Sequence, residues 1–158
     1  MYKAFLPLIE KNARILILGT FPSVVSREKG EYYGNAQNKF WRIMFEIFDK
    51  EFSMDYYEKR KLIFENGIAL WDVIESCEIE GSLDSAIKNQ KYNEKLPEFI
   101  KEKGIEKVLF NGGKAYDFYK RGIGKIEKLI LPSTSPANAR MNYIEKLNVW
   151  KETIIGGD

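Results

Sequence analysis

The sequence contains no histidine and a single cysteine, Cys77, and both shortages narrow what its 158 residues can do. Without histidine there is no Ser-His or Cys-His relay, and the commonest zinc ligand is missing. One cysteine forms no internal disulfide and no multi-cysteine metal or iron–sulfur site. With no histidine to activate it, Cys77 reads as a buried structural thiol rather than a nucleophile. Any catalysis therefore has to run through carboxylates, amides, hydroxyls, lysines or backbone donors. Apolar runs long enough to cross a bilayer are also missing, and residues 1–9 carry no signal-peptide pattern, so a cytoplasmic protein without membrane contact is expected.

What is present is ordinary for a globular chain: 44% hydrophobic and 30% charged residues. The length suits one domain, residues 1–158, large enough to bury a real core. Twenty-five Lys and Arg against 23 Asp and Glu leave a net charge of +2. That balance permits nucleic acid as a partner without arguing for it, because a local patch matters more than the total.

Along the chain, apolar runs alternate with amphipathic stretches. Residues 5–11 read as a short helix with Pro7 in its first turn. Four runs read as strands: 14–18, 68–71, 107–110 and 126–131, the last stopped at Pro132. Between them Phe40, Met44, Ile47 and Phe48 form a helical stripe, and Asp55 with Glu58 resembles a capping box for a helix that Asn66-Gly67 ends. Ser82-Leu-Asp-Ser is a helix-start pattern, and Asn93 can cap a helix carrying Leu96, Phe99 and Ile100 before Gly104. Residues 114–121 supply another helix. The last one spans 139–155, with Tyr143, Ile144, Leu147, Trp150 and Ile154 on one face. Strands alternating with helices imply a parallel sheet covered on both sides, so the expected fold is a three-layer α/β/α sandwich with a four-stranded parallel sheet.

Every expected strand ends in residues suited to a site: Gly19-Thr20-Phe21-Pro22-Ser23, Trp71-Asp72, Asn111-Gly-Gly, and Leu131-Pro-Ser-Thr-Ser-Pro-Ala-Asn138. In a parallel sheet these turns share one rim, the place where open α/β sheets bind ligands. Taken singly, each is also ordinary turn punctuation. The stretch beyond the first strand adds Tyr32, Tyr33, Asn35 and Asn38 ahead of Phe40-Trp41. GTFPS is not a GxGxxG fingerprint, and Asn111-Gly112-Gly113 is not a Walker loop.

Taken in order, GTFPS, YYGNAQNKFW, GIALWDVIESC, GSLDSAI, VLFNGGKAY and LPSTSPAN resemble the uracil-DNA glycosylase superfamily. Within it they are most similar to the hypoxanthine-DNA (deoxyinosine) glycosylase family. The resemblance runs from the first strand to the last helix. It implies an enzyme that flips a deaminated nucleotide out of DNA and hydrolyses its N-glycosidic bond in base excision repair, without a cofactor or metal and acting as a monomer. Two departures matter. Phe21 stands where many relatives carry a water-activating Asp or Asn, and Leu131 replaces the histidine that opens the last motif of uracil-specific members. The hypoxanthine family relies instead on an asparagine further on, a position that Asn38 matches best and Asn35 next best.

The resemblance assigns further roles. Tyr33 corresponds to an aromatic that stacks on the flipped base, with Gly19, Thr20, Phe21 and Pro22 shaping the pocket. Asp72 falls where uracil-specific members read the base edge, and it can accept the N1–H of hypoxanthine, a donor adenine lacks at that atom. Asn111 can meet the base or a backbone group. The loop of Ser133, Thr134, Ser135, Pro136 and Asn138 is the segment pressed into the minor groove, hydroxyls on phosphates and Pro136 as a wedge. Arg140, Arg27, Lys39 and Arg42 supply phosphate contacts. Structural alternatives stand beside these roles: Asn38 as a cap of the Phe40 helix, Tyr33 as a rim residue packed on it, Asp72 as the cap of a following helix, and Asn138 as a plain helix cap. The rival functions are a uracil or broader deaminated-base glycosylase and a non-catalytic α/β module that binds a nucleotide or nucleic acid.

Overall fold

A computed structural model describes residues 1–80, 86–138 and 140–156. Its centre is a four-stranded parallel sheet in the order β3-β2-β6-β7, formed by β2 (Ile15–Gly19), β3 (Ile68–Asp72), β6 (Lys107–Asn111) and β7 (Ile130–Leu131). Period-two alternation divides β2 between two cores. Ile15 and Ile17 face one side with α2 (Phe40–Ile47), α3 (Tyr56–Glu65) and α6 (Tyr143–Ile155). Leu16 and Leu18 face the other with Leu96 of α4 (Leu96–Glu102) and Ala115, Phe118 and Tyr119 of α5 (Gly113–Gly122). Both faces of β2 are thus fully apolar, as a central parallel strand requires. The expected α/β/α layering with four parallel strands is what forms.

Local signals explain most boundaries. Asp55 caps α3, its carboxylate accepting from the Tyr57 N–H at 2.9 Å. Asn142 and Glu145 make a reciprocal capping box at the start of α6. Trp150 of α6 is fully buried edge-to-face against Phe40 of α2, with ring centroids 5.8 Å apart. Its indole N–H donates to the Pro132 carbonyl at 2.9 Å, so the last helix also holds the exit of β7.

Several expectations are corrected. Residues 5–11 form no helix. The chain there runs alongside β3, Leu8 and Leu70 exchanging backbone hydrogen bonds of 2.9 Å, while the Leu6 carbonyl accepts from the Tyr32 hydroxyl. Pairing at the edge of β3 offers these groups more than a short isolated helix can. A three-stranded antiparallel sheet, order β1-β4-β5, was not anticipated; it comprises β1 (Tyr2–Lys3), β4 (Ile74–Ile79) and β5 (Ile87–Tyr92). The helix-start pattern at 82–85 lies outside the described residues, and the chain after it is β5 rather than helix. Asn93 does not cap α4 with its side chain; its Nδ2 donates to the Asp72 carbonyl at 3.1 Å. A further short helix, α1 (Val24–Lys29), follows Ser23, which caps it. The fourth strand is only Ile130–Leu131 because its ladder exists only opposite Phe110 and Asn111. Helix α6 begins at Tyr143, and its Ile144 is 60% exposed rather than on the core face.

Because Trp150 fills the junction of α6, α2 and the β7 exit, Trp150→Ala should destabilise the protein by about 3–5 kcal/mol. A urea titration followed by far-UV circular dichroism measures this as a lowered midpoint at unchanged slope.

Candidate active site

The register of the parallel sheet places the strand ends side by side. Gly19 lies opposite Asp72, and Leu18 opposite Phe110, which sets Gly19 beside Asn111. Above this row is a cavity of about 790 Å³, within the range of small-molecule sites. Its lining includes Gly19, Thr20, Phe21, Pro22, Tyr33, Asn35, Asn38, Asp72, Asn111, Ser133, Thr134, Ser135, Pro136 and Asn138. Of the site residues expected from sequence, the four basic ones, Arg27, Lys39, Arg42 and Arg140, are not in this lining; Arg140 is exposed on the chain leading to α6. The sequence reading missed Ile87 of the small sheet, the α1 turn at 23–26, and Gly113 and Lys114 at the start of α5. Only Lys114 had a local signal, its place directly after the strand-end glycines.

Asn38 sits in a tight turn. Its N–H donates to the Asn35 carbonyl, and its Oδ1 accepts from the Phe40 N–H, both at 2.9 Å. The side chain therefore caps the entry to α2 and faces the cavity as well. Asn35 accepts from the Gln37 N–H in the same turn. The Lys39 N–H then donates to the Thr134 carbonyl at 3.0 Å, tying this turn to the final loop.

Asn111 is the other tie. Its Nδ2 donates to the Thr134 hydroxyl at 2.9 Å and its Oδ1 accepts from the Thr134 N–H at 3.0 Å. Thr134 is 1% exposed, so its hydroxyl is turned inward and the expected phosphate contact from it is replaced by a brace between β6 and the loop. Close approach of the two segments needs Gly112: at its φ of +95° a Cβ would lie 3.1 Å from that of Ser133. Asn138 caps no helix; its Nδ2 donates to the Ser133 carbonyl, and Asn142 caps α6.

Tyr33 adopts a left-handed φ of +52°, uncommon for an aromatic residue. That twist lays its ring on Phe40, centroids 4.2 Å apart and planes 27° from parallel. Burial, then the nearby Asp72 carboxyl, push the Tyr33 hydroxyl above its ordinary range, opposed by a hydrogen bond with the Asn111 side chain. Tyr32, by contrast, is scaffold, its hydroxyl on Leu6 and its carbonyl accepting from the Trp41 indole. Arg27 is likewise committed, donating to the Pro22 carbonyl at 2.8 Å and stacking on Tyr2.

Asp72 caps no helix either, since β4 follows one residue later. It is 5% exposed, and its Oδ2 has no hydrogen-bond partner among the described residues. Burial pushes its carboxyl up to about 7. Near neutral pH it is therefore divided between a neutral acid, which donates and accepts, and a carboxylate, which only accepts. Gly19 makes room for it: a Cβ there would lie 2.8 Å from Asp72 Oδ1 and 3.0 Å from the Tyr33 hydroxyl.

Fold and site together define the class: a parallel α/β domain whose strand-end cavity joins a braced polar loop, a stacked tyrosine and a desolvated carboxyl. Residues 6–155 match the model of the uracil DNA glycosylase superfamily, and the chain belongs to that family. Among its relatives is the hypoxanthine DNA glycosylase of Methanosarcina acetivorans, 38% identical and spanning 89% of this chain and 90% of the relative. The hypoxanthine DNA glycosylase of Methanosarcina barkeri is 36% identical, spanning 87% and 89%. A candidate uracil DNA glycosylase from Methanosarcina acetivorans, solved in solution by NMR, superposes with a TM-score of 0.77 at 34% identity, covering 96% of this chain and 95% of its own.

Two outcomes follow from this geometry. The folded state holds the Asp72 proton more tightly than the unfolded chain does, so the contribution of this group to stability is fully present below about pH 4 and is lost as pH rises through about 7. Asp72→Asn removes that decline. Relative to the parent, the variant should gain stability between pH 4 and pH 8 by roughly 4 kcal/mol at most, read as the change in melting-temperature difference across that range. Gly19→Ala should cost about 1–3 kcal/mol through overpacking and displace Tyr33, seen as a lower melting temperature together with an altered tyrosine near-UV signal.

Proposed function

We propose that the chain is a monofunctional DNA glycosylase that everts a deaminated nucleotide, hypoxanthine first, and hydrolyses its N-glycosidic bond. The observation that carries this reading is the single cavity shared by Asn38, Tyr33, Asp72 and the 133–138 loop. The two Methanosarcina relatives named as hypoxanthine DNA glycosylases support the choice of base.

In this reading Tyr33, backed on one face by Phe40, offers the other to the everted base; stacking of this kind is worth about 1–3 kcal/mol and tolerates any base. Asp72 meets the lactam edge of hypoxanthine. As a neutral acid it accepts from N1–H and donates to O6, two hydrogen bonds that satisfy its otherwise orphaned oxygen. Asn38 holds the attacking water. One lone pair of its Oδ1 is committed to the Phe40 N–H, and the second is free to accept from water. An amide is no strong base, so the water is positioned rather than deprotonated, and the reaction leans on an oxocarbenium-like sugar. Oriented donors around the departing base stabilise its charge. Ser133, Ser135 and Pro136 hold the strand from which the nucleotide is taken, Pro136 as the apolar wedge.

Asn38→Ala should lower the excision rate on inosine-containing duplex by about 10²–10⁴ with DNA affinity largely kept. Because the alanine variant also loses the acceptor for the Phe40 N–H, its melting temperature beside the parent's separates loss of the cap from loss of the water site. Undiminished cleavage in the alanine variant would move the role to Asn35 or to backbone donors. If the parent leaves alkali-labile sites at none of inosine, uracil or xanthine, a nucleic-acid-binding module becomes the better account.

A further inference from the structure

Beside the main cavity is a second cleft of about 320 Å³, which shares Ser135, Pro136 and Asn138 with it and adds Lys39, Tyr143 and Lys146. Lys146 is only 5% exposed, and its ammonium donates to the Asn138 carbonyl at 2.9 Å. Two of its three donors are left for another acceptor. Among the described residues neither Lys39 nor Lys146 makes an ion pair; the pairs formed there, Lys61–Glu65 and Lys88–Glu80, lie elsewhere. Burial, and then Lys39 beside it, lower the Lys146 ammonium from its ordinary range.

Placement on the helices sharpens the point. Lys39 immediately precedes α2, and Lys146 is the fourth residue of α6. Both cations therefore sit at the positive ends of helix dipoles, where an anion is favoured and a cation is not. The one carboxylate in the first turn of α6, Glu145, is turned to the Asn142 N–H in the capping box. Two cations and two helix starts thus meet at one cleft whose described lining holds no carboxylate, while Glu46 acts on its Tyr143 from the adjoining cleft.

We propose that the Lys39–Lys146 cleft is a phosphate seat, taking one phosphodiester of the DNA strand whose nucleotide enters the neighbouring cavity. The assignment rests on the glycosylase reading for its choice of DNA. It identifies Lys146, a residue no sequence motif singles out, as part of the strand-holding surface. A phosphate seated there would be tied to the 133–138 loop through the Lys146 ammonium, which is bonded to Asn138 in that loop.

The test uses the whole chain and inosine-containing duplexes. For the parent, the slope of log affinity against log salt should exceed that of the Lys39→Gln/Lys146→Gln double variant by about 0.9, the loss of one phosphate contact. Lys146→Arg should restore the slope, and thermal melting of all three shows that the fold is kept. A duplex with a single neutral methylphosphonate, moved position by position past the inosine, should raise KM for the parent at one position and not for the double variant. An unchanged slope, or no such position, with inosine still cleaved, would overturn the phosphate seat and leave the glycosylase reading standing. A lysine-dependent slope on DNA that is never cleaved would do the reverse. Inorganic phosphate shifting the Lys39 and Lys146 amide resonances while the DNA salt slope stays the same in both proteins would mean a free-phosphate site and overturn the backbone assignment.

Discussion

Side-by-side parallel pairing of β2 with β3 and β6 is the constraint on which the site depends. It sets Gly19, Asp72 and Asn111 in one row at the carboxyl ends of the strands. Each of the three then does what its neighbours require. Gly19 leaves space, Asp72 enters it with no hydrogen-bond partner for Oδ2 among the described residues, and Asn111 reaches across to Thr134. A slip of one residue in either ladder would turn the row's side chains to the opposite face and dissolve the cavity.

The loops above that row are held by few but well-placed bonds. Thr134 is bound by Asn111 through both backbone and hydroxyl, and its carbonyl accepts from Lys39 at the mouth of α2. Trp150 anchors the same segment at Pro132, and Lys146 at Asn138. The final loop is therefore positioned by β6, α2 and α6 together. Rigid support of this kind fixes Ser133, Ser135 and Pro136 at the cavity wall.

Among the features that run against stability, two face the cavity: a desolvated Asp72 and a Tyr33 twisted to positive φ. Backbone strain and an unpartnered buried carboxyl oxygen on the same cavity wall are features that cluster at working sites. A carboxyl titrating near 7 also gives the cavity two hydrogen-bonding states within the ordinary pH range, which an asparagine at residue 72 would not have.

Sequence by itself determined the parallel sheet, the stripe of α2 and the strand-end turns, because period, turn chemistry and capping are local properties written in adjacent residues. It also placed Asn38, Tyr33 and Asp72 on the rim, since a parallel sheet gathers its strand ends at one edge. Other features lay beyond its reach. Residues 5–11 read as helix because nothing nearby reveals the open edge of β3. β4 and β5 were missed because their mixed polar pattern acquires meaning only from each other. Tertiary structure alone decided that Thr134 is a brace, that Arg140 stands away from the cavity, and that Lys146 shares a cleft with Lys39. Those facts depend on how segments far apart in the chain pack together, and no local pattern encodes them.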